Sequence, residues 1–336
     1  MLKKFIMGLA MLTGIGQAFA QTPLKFRNGY FKIVQLTDLH YKLGAKASQQ
    51  ALDCIREMVT EEKPDLVMVT GDIIYSMPAD STLSVVLGTL SSLGVPFAIT
   101  FGNHDYDFKA PSAALYAQMQ KSSHCVMPVL QGKSLDYSLP IMSSNGKRTA
   151  AVLYCIDTHN RSSLAGVDGY QWITHNQITW YRQRSSVYKQ QNAGKALPAL
   201  AFMHIPLPEY NYATDNTQCP MYGSRLEKAY SPSLNSGMFT AMKEQGDVMG
   251  VFCGHDHDND YTTLYHDILL GYGRFSGGNT EYNHLPVGAR VIVLHEGQRR
   301  FDTWIRTLKG DRQNVTVYPD SYVKDDWRKR PVKEKR

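Results

Sequence analysis

Five short blocks of metal-ligand residue types occur in this chain, each directly after a short apolar run. They are Asp38-Leu39-His40, Gly71-Asp72, Gly102-Asn103-His104-Asp105, Met203-His204 and Gly254-His255-Asp256-His257. An apolar run that stops abruptly at such residues reads as a buried strand whose carboxyl end opens onto a site. The pattern restricts the chain to a layered α/β architecture with a site at its strand ends. Aspartate, asparagine and histidine offer oxygen and nitrogen donors to hard or borderline cations. Clusters of this kind hold two metals side by side for displacement at phosphorus.

The periodicity around the blocks supports this reading. Residues 31–37, 65–70 and 95–101 read as strands. Residues 48–62 read as a helix with Leu52, Ile55 and Val59 on one face, and 82–93 as a second helix ended by Gly94. This β-α-β-α-β run predicts a parallel sheet covered by helices. Later strands are predicted at 148–156, 197–203, 248–253, 265–270 and 289–295, with a helix at 175–191. Two loop-like stretches, 158–172 and 206–237, are long enough to shape a site.

The first twenty residues read as an export leader. Lys3 and Lys4 precede an apolar stretch at 5–13, and Ala18-Phe19-Ala20 is a small-residue cleavage site. The apolar stretch is too short to span a bilayer. The mature chain is expected to begin near Gln21, to be periplasmic or secreted, and to have no stable membrane insertion.

The formal net charge of +6 is concentrated at the two ends. Lys3 and Lys4 supply two of those charges, and residues 324–336 hold seven basic and three acidic side chains. The body is therefore close to neutral, which argues against a nucleic-acid groove. Of the five cysteines, Cys155 and Cys253 lie in apolar runs and read as buried thiols. Cys125 and Cys219 lie in loop-like sequence and form the candidate disulfide of an exported chain.

The ordered blocks resemble the calcineurin-like metallophosphoesterase superfamily over roughly residues 31–306. Longer matches at Phe31-Lys32-Ile33-Val34-Gln35, at His204-Ile205-Pro206-Leu207-Pro208-Glu209-Tyr210 and at Gly254-His255-Asp256-His257-Asp258-Asn259-Asp260-Tyr261 resemble the branch grouped with purple acid phosphatases. The resemblance implies a four-layer αββα sandwich of two mixed β-sheets flanked by helices, spanning residues 25–308. Residues 309–336 would then be a C-terminal extension with a basic tail.

Carried over block by block, the resemblance implies that Asp38, His40 and His257 hold one metal and that Asp72 bridges both. Asn103, His204 and His255 would hold the second. Tyr75 has the spacing by which purple acid phosphatases place a tyrosinate on ferric iron. Those enzymes normally lack a histidine in the first block, so His40 is the preferred ligand here and Tyr75 the alternative. The donor set suits two divalent or mixed-valence ions of zinc, iron or manganese.

The expected chemistry is hydrolysis of phosphomonoesters by a hydroxide bridging two metals. His104 would stabilise the phosphoryl oxygens or protonate the leaving group, with Asp105 fixing its ring. Arg161, Tyr210 and Asn259 are candidate contacts to a small phosphate ester. A phosphodiesterase or nuclease on the same centre is the alternative, and a non-catalytic scaffold a further one. The oligomeric state is left open.

Overall fold

The computed structural model describes residues 23–130, 132, 134–216, 219–278 and 282–323. The leader and the basic tail from 324 onward lie outside them. The chain runs β1 (Tyr30–Leu36), α1 (Gln49–Glu62), β2 (Leu66–Thr70), α2 (Ala79–Ser92), β3 (Phe97–Thr100) and α3 (Ser112–Gln120). It continues through β4 (Tyr137–Met142), β5 (Thr149–Cys155), α4 (His175–Gln191), β6 (Ala199–Phe202), α5 (Glu209–Thr214), β7 (Met221–Tyr222) and α6 (Met238–Gln245). It ends with β8 (Val248–Cys253), β9 (Thr262–Tyr265), β10 (Ile268–Tyr272), β11 (Gly288–His295), β12 (Phe301–Thr307) and β13 (Arg312–Tyr318).

The strands form two mixed sheets, ordered β13-β12-β11-β1-β2-β3 and β4-β5-β6-β8-β10-β9-β7. In the first, β1, β2 and β3 are parallel and reach one edge, with β11, β12 and β13 antiparallel on the other side; in the second, the parallel strands β5, β6, β8 and β10 are flanked on both sides by antiparallel ones. Every residue of β2, β3 and β8 is buried, as parallel strands covered on both faces require. The period-two alternation assigns the faces of the second sheet. Leu200 and Phe202 of β6 turn toward the first sheet, and Ala199 and Ala201 turn toward α4, α5 and α6. Phe252 of β8 touches Phe301 of β12 across the interface, with centroids 5.9 Å apart. Helices α1 and α2 pack on the first sheet. The result is the expected αββα sandwich.

Three expectations need correction. The strand predicted at 265–270 is a hairpin, because His266 and Asp267 take left-handed φ values of 43° and 62° between β9 and β10. The boundary expected at 308 falls inside a β-meander, since β13 pairs with β12 and Tyr322 is buried beyond it. The Tyr322 hydroxyl donates to Thr262 at 2.5 Å and lies 2.8 Å from the Thr316 hydroxyl, which ties the end of one sheet to the other. The Cys125–Cys219 disulfide is not formed, and all five cysteines are thiols. Cys125 is buried against β3, where it bridges Phe97. Among the described residues, no helix is long and apolar enough to cross a membrane.

Candidate metal centre

The carboxyl ends of β1, β2, β3, β6 and β8 meet at one edge of the sandwich. At these ends the backbone turns sharply. Asp38, His40, Asp72 and His255 all have left-handed φ, at 53°, 43°, 50° and 80°. Such conformations are costly for residues other than glycine and gather where the surroundings enforce them. The loops approach too closely for side chains at two glycines. A Cβ on Gly102 would lie 2.2 Å from Asp72 Oδ1, and one on Gly254 would lie 1.8 Å from Thr37 Oγ1.

The expected ligands come together as two buried groups, Asp38-His40-His257 and Asp72-His204-His255. Within each, one donor atom per residue lies within 4.8 Å of the others. Asp72 Oδ2 sits between the groups, 3.4 Å from His40 Nε2 and 3.2 Å from His204 Nε2, the place a shared ligand needs. Asn103 Oδ1 is 3.2 Å from His204 Nε2. The ring orientations are set from behind: His204 Nδ1 is 2.8 Å from the Thr70 carbonyl, and His257 Nδ1 is 3.0 Å from that of Tyr282. Each bond leaves Nε2 for the centre, the usual way a ligating histidine is held. Asp38 is fixed by the Thr37 hydroxyl at 2.7 Å and by the His255 N–H at 3.1 and 3.2 Å.

These residues fit two cations. Among the described residues, neither ring nitrogen of His40 has a hydrogen-bond partner, although the side chain is buried. A buried polar atom left so is expensive unless something binds it. Burial opposes charge on Asp38, but the hydrogen bond from His257 and the charges on His204 and His257 outweigh it, holding the carboxyl at about 2. Asp72 is also held well below the usual range, because His204 and His40 overcome its burial. Burial lowers the affinity of His204 for a proton, yet Asp72 and Asp38 lift it to about 10. His255, equally buried and beside His204, is pushed down to about 3. Two ionised carboxylates thus lie among four imidazoles in a site open on one side.

The opening is a cleft of about 540 Å³. His104 lines it, with its backbone N–H on Asp72 Oδ1 at 2.8 Å. The ring partner of His104 is not Asp105. The Asp105 carboxylate turns inward and accepts from the N–H groups of Ile73, Ile74 and Gly102 at 2.9, 3.1 and 2.8 Å, tying two ligand loops together. The partner is Asp107, whose Oδ2 lies 2.7 Å from His104 Nδ1. Asn160 Nδ2 donates to the other Asp107 oxygen at 2.9 Å.

Asn160 belongs to the loop at 158–172, which folds as a strap. Arg161 bridges Tyr170, and the Gln171 N–H donates to the Asn160 carbonyl at 2.9 Å. Its root is pinned by Gln177 of α4, which donates to the Asp157 carbonyl at 2.7 Å.

Arg161 lines the cleft and stacks on Tyr170, 4.5 Å from its centroid. Tyr75 also lines it, with its ring 4.7 Å from that of His40. The other two candidate contacts are structural. Tyr210 lies on α5, fully buried, with its hydroxyl 2.8 Å from the Val251 carbonyl and 3.1 Å from that of Gly271. Asn259 is fully buried, and its Oδ1 accepts from Leu226 and Glu227. The cleft adds Tyr170, Glu227 and Tyr230, which the sequence placed only in loop-like stretches, and Tyr282, for which it offered no signal.

A two-sheet sandwich with paired Asp/His groups at its strand ends defines a metallophosphoesterase. A model of the calcineurin-like phosphoesterase family matches residues 31–259, and the chain belongs to that family. It is 28% identical to a protein of Arabidopsis thaliana named probable inactive purple acid phosphatase 14, over 83% of this chain and 78% of the other. It is also 28% identical to phosphatase DCR2 of Saccharomyces cerevisiae, over 85% of this chain and 55% of that one. A dimetal phosphatase from Danio rerio shares the fold, with a TM-score of 0.61 at 12% identity, over 85% of this chain and 98% of that chain.

Proposed function

We propose that this protein is an exported, catalytically competent phosphatase acting on phosphomonoesters. The observation that supports it is the complete buried donor set with His104 at its open side. Two bound cations supply a water of lowered pKa and positive charge for the phosphoryl oxygens. Asp38, His40 and His257 would hold one, His204, His255 and Asn103 the other, and Asp72 both. With His40 in the first group, Tyr75 serves as cleft wall.

The remaining chemistry falls to the protein. The Asp107 contact uses Nδ1 of His104 and leaves Nε2 for the substrate. From there His104 donates a proton to the leaving oxygen or a hydrogen bond to the phosphoryl group. Arg161 offers a fork of donors at the cleft wall.

The relatives named as probable inactive make competence the point to test. The purified chain is loaded with zinc, iron or manganese and analysed for metal content. It is then assayed on a nitrophenyl monoester and a bis-nitrophenyl diester. Two ions per chain with monoester turnover is the expected result. Faster diester turnover would make it a phosphodiesterase, and two bound ions without any turnover would refute the catalytic reading. Export is checked by the mass of the cell-processed chain, expected to begin near Gln21.

A further inference from the structure

Tyrosine makes up 20 of the 336 residues but four of the twelve described residues that line the cleft. The four come from separate connections. Tyr75 follows β2, Tyr170 lies in the strap, Tyr230 follows β7, and Tyr282 lies between β10 and β11. Three of them back a histidine of the centre. Tyr75 lies 4.7 Å from His40, Tyr170 4.5 Å from His255 and Tyr282 4.8 Å from His257, centroid to centroid. Packing against the ligands accounts for those three.

It does not account for Tyr230. Among the described residues, its ring makes no contact with a histidine. It faces the Lys228 ammonium at 5.1 Å and is 47% exposed at the mouth. Its place is fixed through the backbone, since the Tyr230 N–H donates to the Asp256 carboxylate at 3.2 and 3.3 Å. A large ring is thus held at the mouth by a bond that does not involve its side chain.

The floor of the cleft is closed by the metal-ligand residues, so the alcohol portion of an ester must extend outward past these rings. We propose that the cleft selects phosphomonoesters of aromatic alcohols, and that Tyr230 reads the aromatic ring. This rests on the phosphomonoesterase reading above. Ring faces and edges at 4.5–7 Å attract another aromatic group beyond the area it buries.

The test uses the metal-loaded full chain and two non-hydrolysable probes, phenylphosphonate and methylphosphonate, titrated by calorimetry. Phenylphosphonate is expected to bind roughly tenfold more tightly, the effect of one or two aromatic contacts. Tyr230→Ala should reduce that ratio by about threefold or more, and Tyr230→Phe should keep it. Equal affinities in the unmodified protein overturn the proposal, while monoester turnover keeps the phosphatase reading in place. A high ratio that Tyr230→Ala leaves intact also overturns it. If neither probe binds and no ester is hydrolysed, both readings fall together.

Discussion

The Nδ1 atom of His104 lies 2.7 Å from Oδ2 of Asp107, three residues further along the same 3₁₀ turn. Residues i and i+3 eclipse in this geometry, so the turn itself brings acid and imidazole together. Asn160 holds the other carboxylate oxygen, so the strap and the histidine share one anchor.

Asp107→Ala should therefore lower turnover of an alkyl phosphate by roughly 10- to 100-fold, part of what a positioned acid supplies. The loss should be smaller for a nitrophenyl ester, whose leaving group needs little protonation. Combined with His104→Ala, it should add almost nothing, since residues acting as one unit are not additive. Equal losses on both esters would remove Asp107 from proton transfer, and a fully additive double variant would uncouple it from His104.

Asp72→Asn should abolish nearly all turnover and lower the bound metal below two ions per chain. Asp72 Oδ2 is the oxygen placed between both histidine groups. Elemental analysis beside a monoester assay decides it. Two ions with unchanged turnover would exclude Asp72 as the shared ligand.

Tyr75→Phe should leave the visible spectrum of iron-loaded protein unchanged, because His40 is the donor that groups with Asp38 and His257. Loss of a charge-transfer band in the variant would make Tyr75 the ligand.

Chelation should lower the melting temperature. Each donor group takes side chains from both sheets, so an ion in either one clamps the sandwich. A site held at 100 times its Kd contributes about 2.7 kcal/mol. Calorimetry with and without chelator measures this, and identical melting curves would mean that the groups hold no ion under those conditions.

A chain ending at Val323 should keep its stability, whereas one ending at Gly310 loses β13 and exposes the β12 edge. Tyr322→Phe should cost about 1 kcal/mol, the net value of a buried hydrogen bond. Denaturant melts compare the three. An unchanged midpoint for the chain ending at Gly310 would show that β13 contributes nothing to the fold.

The strands that carry ligands were legible because parallel, doubly covered strands are continuously apolar. The antiparallel edge strands carry no such signal. In β4 Pro140 interrupts the pattern, and the first four residues of β13 are exposed. The two buried donor groups were legible because metal chemistry fixes residue types. The partner of His104 was not. Sequence adjacency favoured Asp105, and only the 3₁₀ turn shows that Asp107 lies under the ring while Asp105 points inward. Tyr210 looked like a loop residue because the two prolines before it, Pro206 and Pro208, hid the short α5.

The order of strands in the first sheet has a consequence for how the chain acquires its shape. β1 takes β11 as its antiparallel neighbour, with Tyr30 opposite His295, whereas β4 to β10 form one uninterrupted stretch of sequence. During synthesis the second sheet can close while its companion still waits for its far half. Asp38 cannot meet His257 until nearly the whole body exists. Pairings this distant are slow to form. Pulse-labelled refolding should therefore protect β5, β6 and β8 before the β1–β11 pair. The two donor groups are then completed late in synthesis, so a truncated or stalled product carries an unfinished centre.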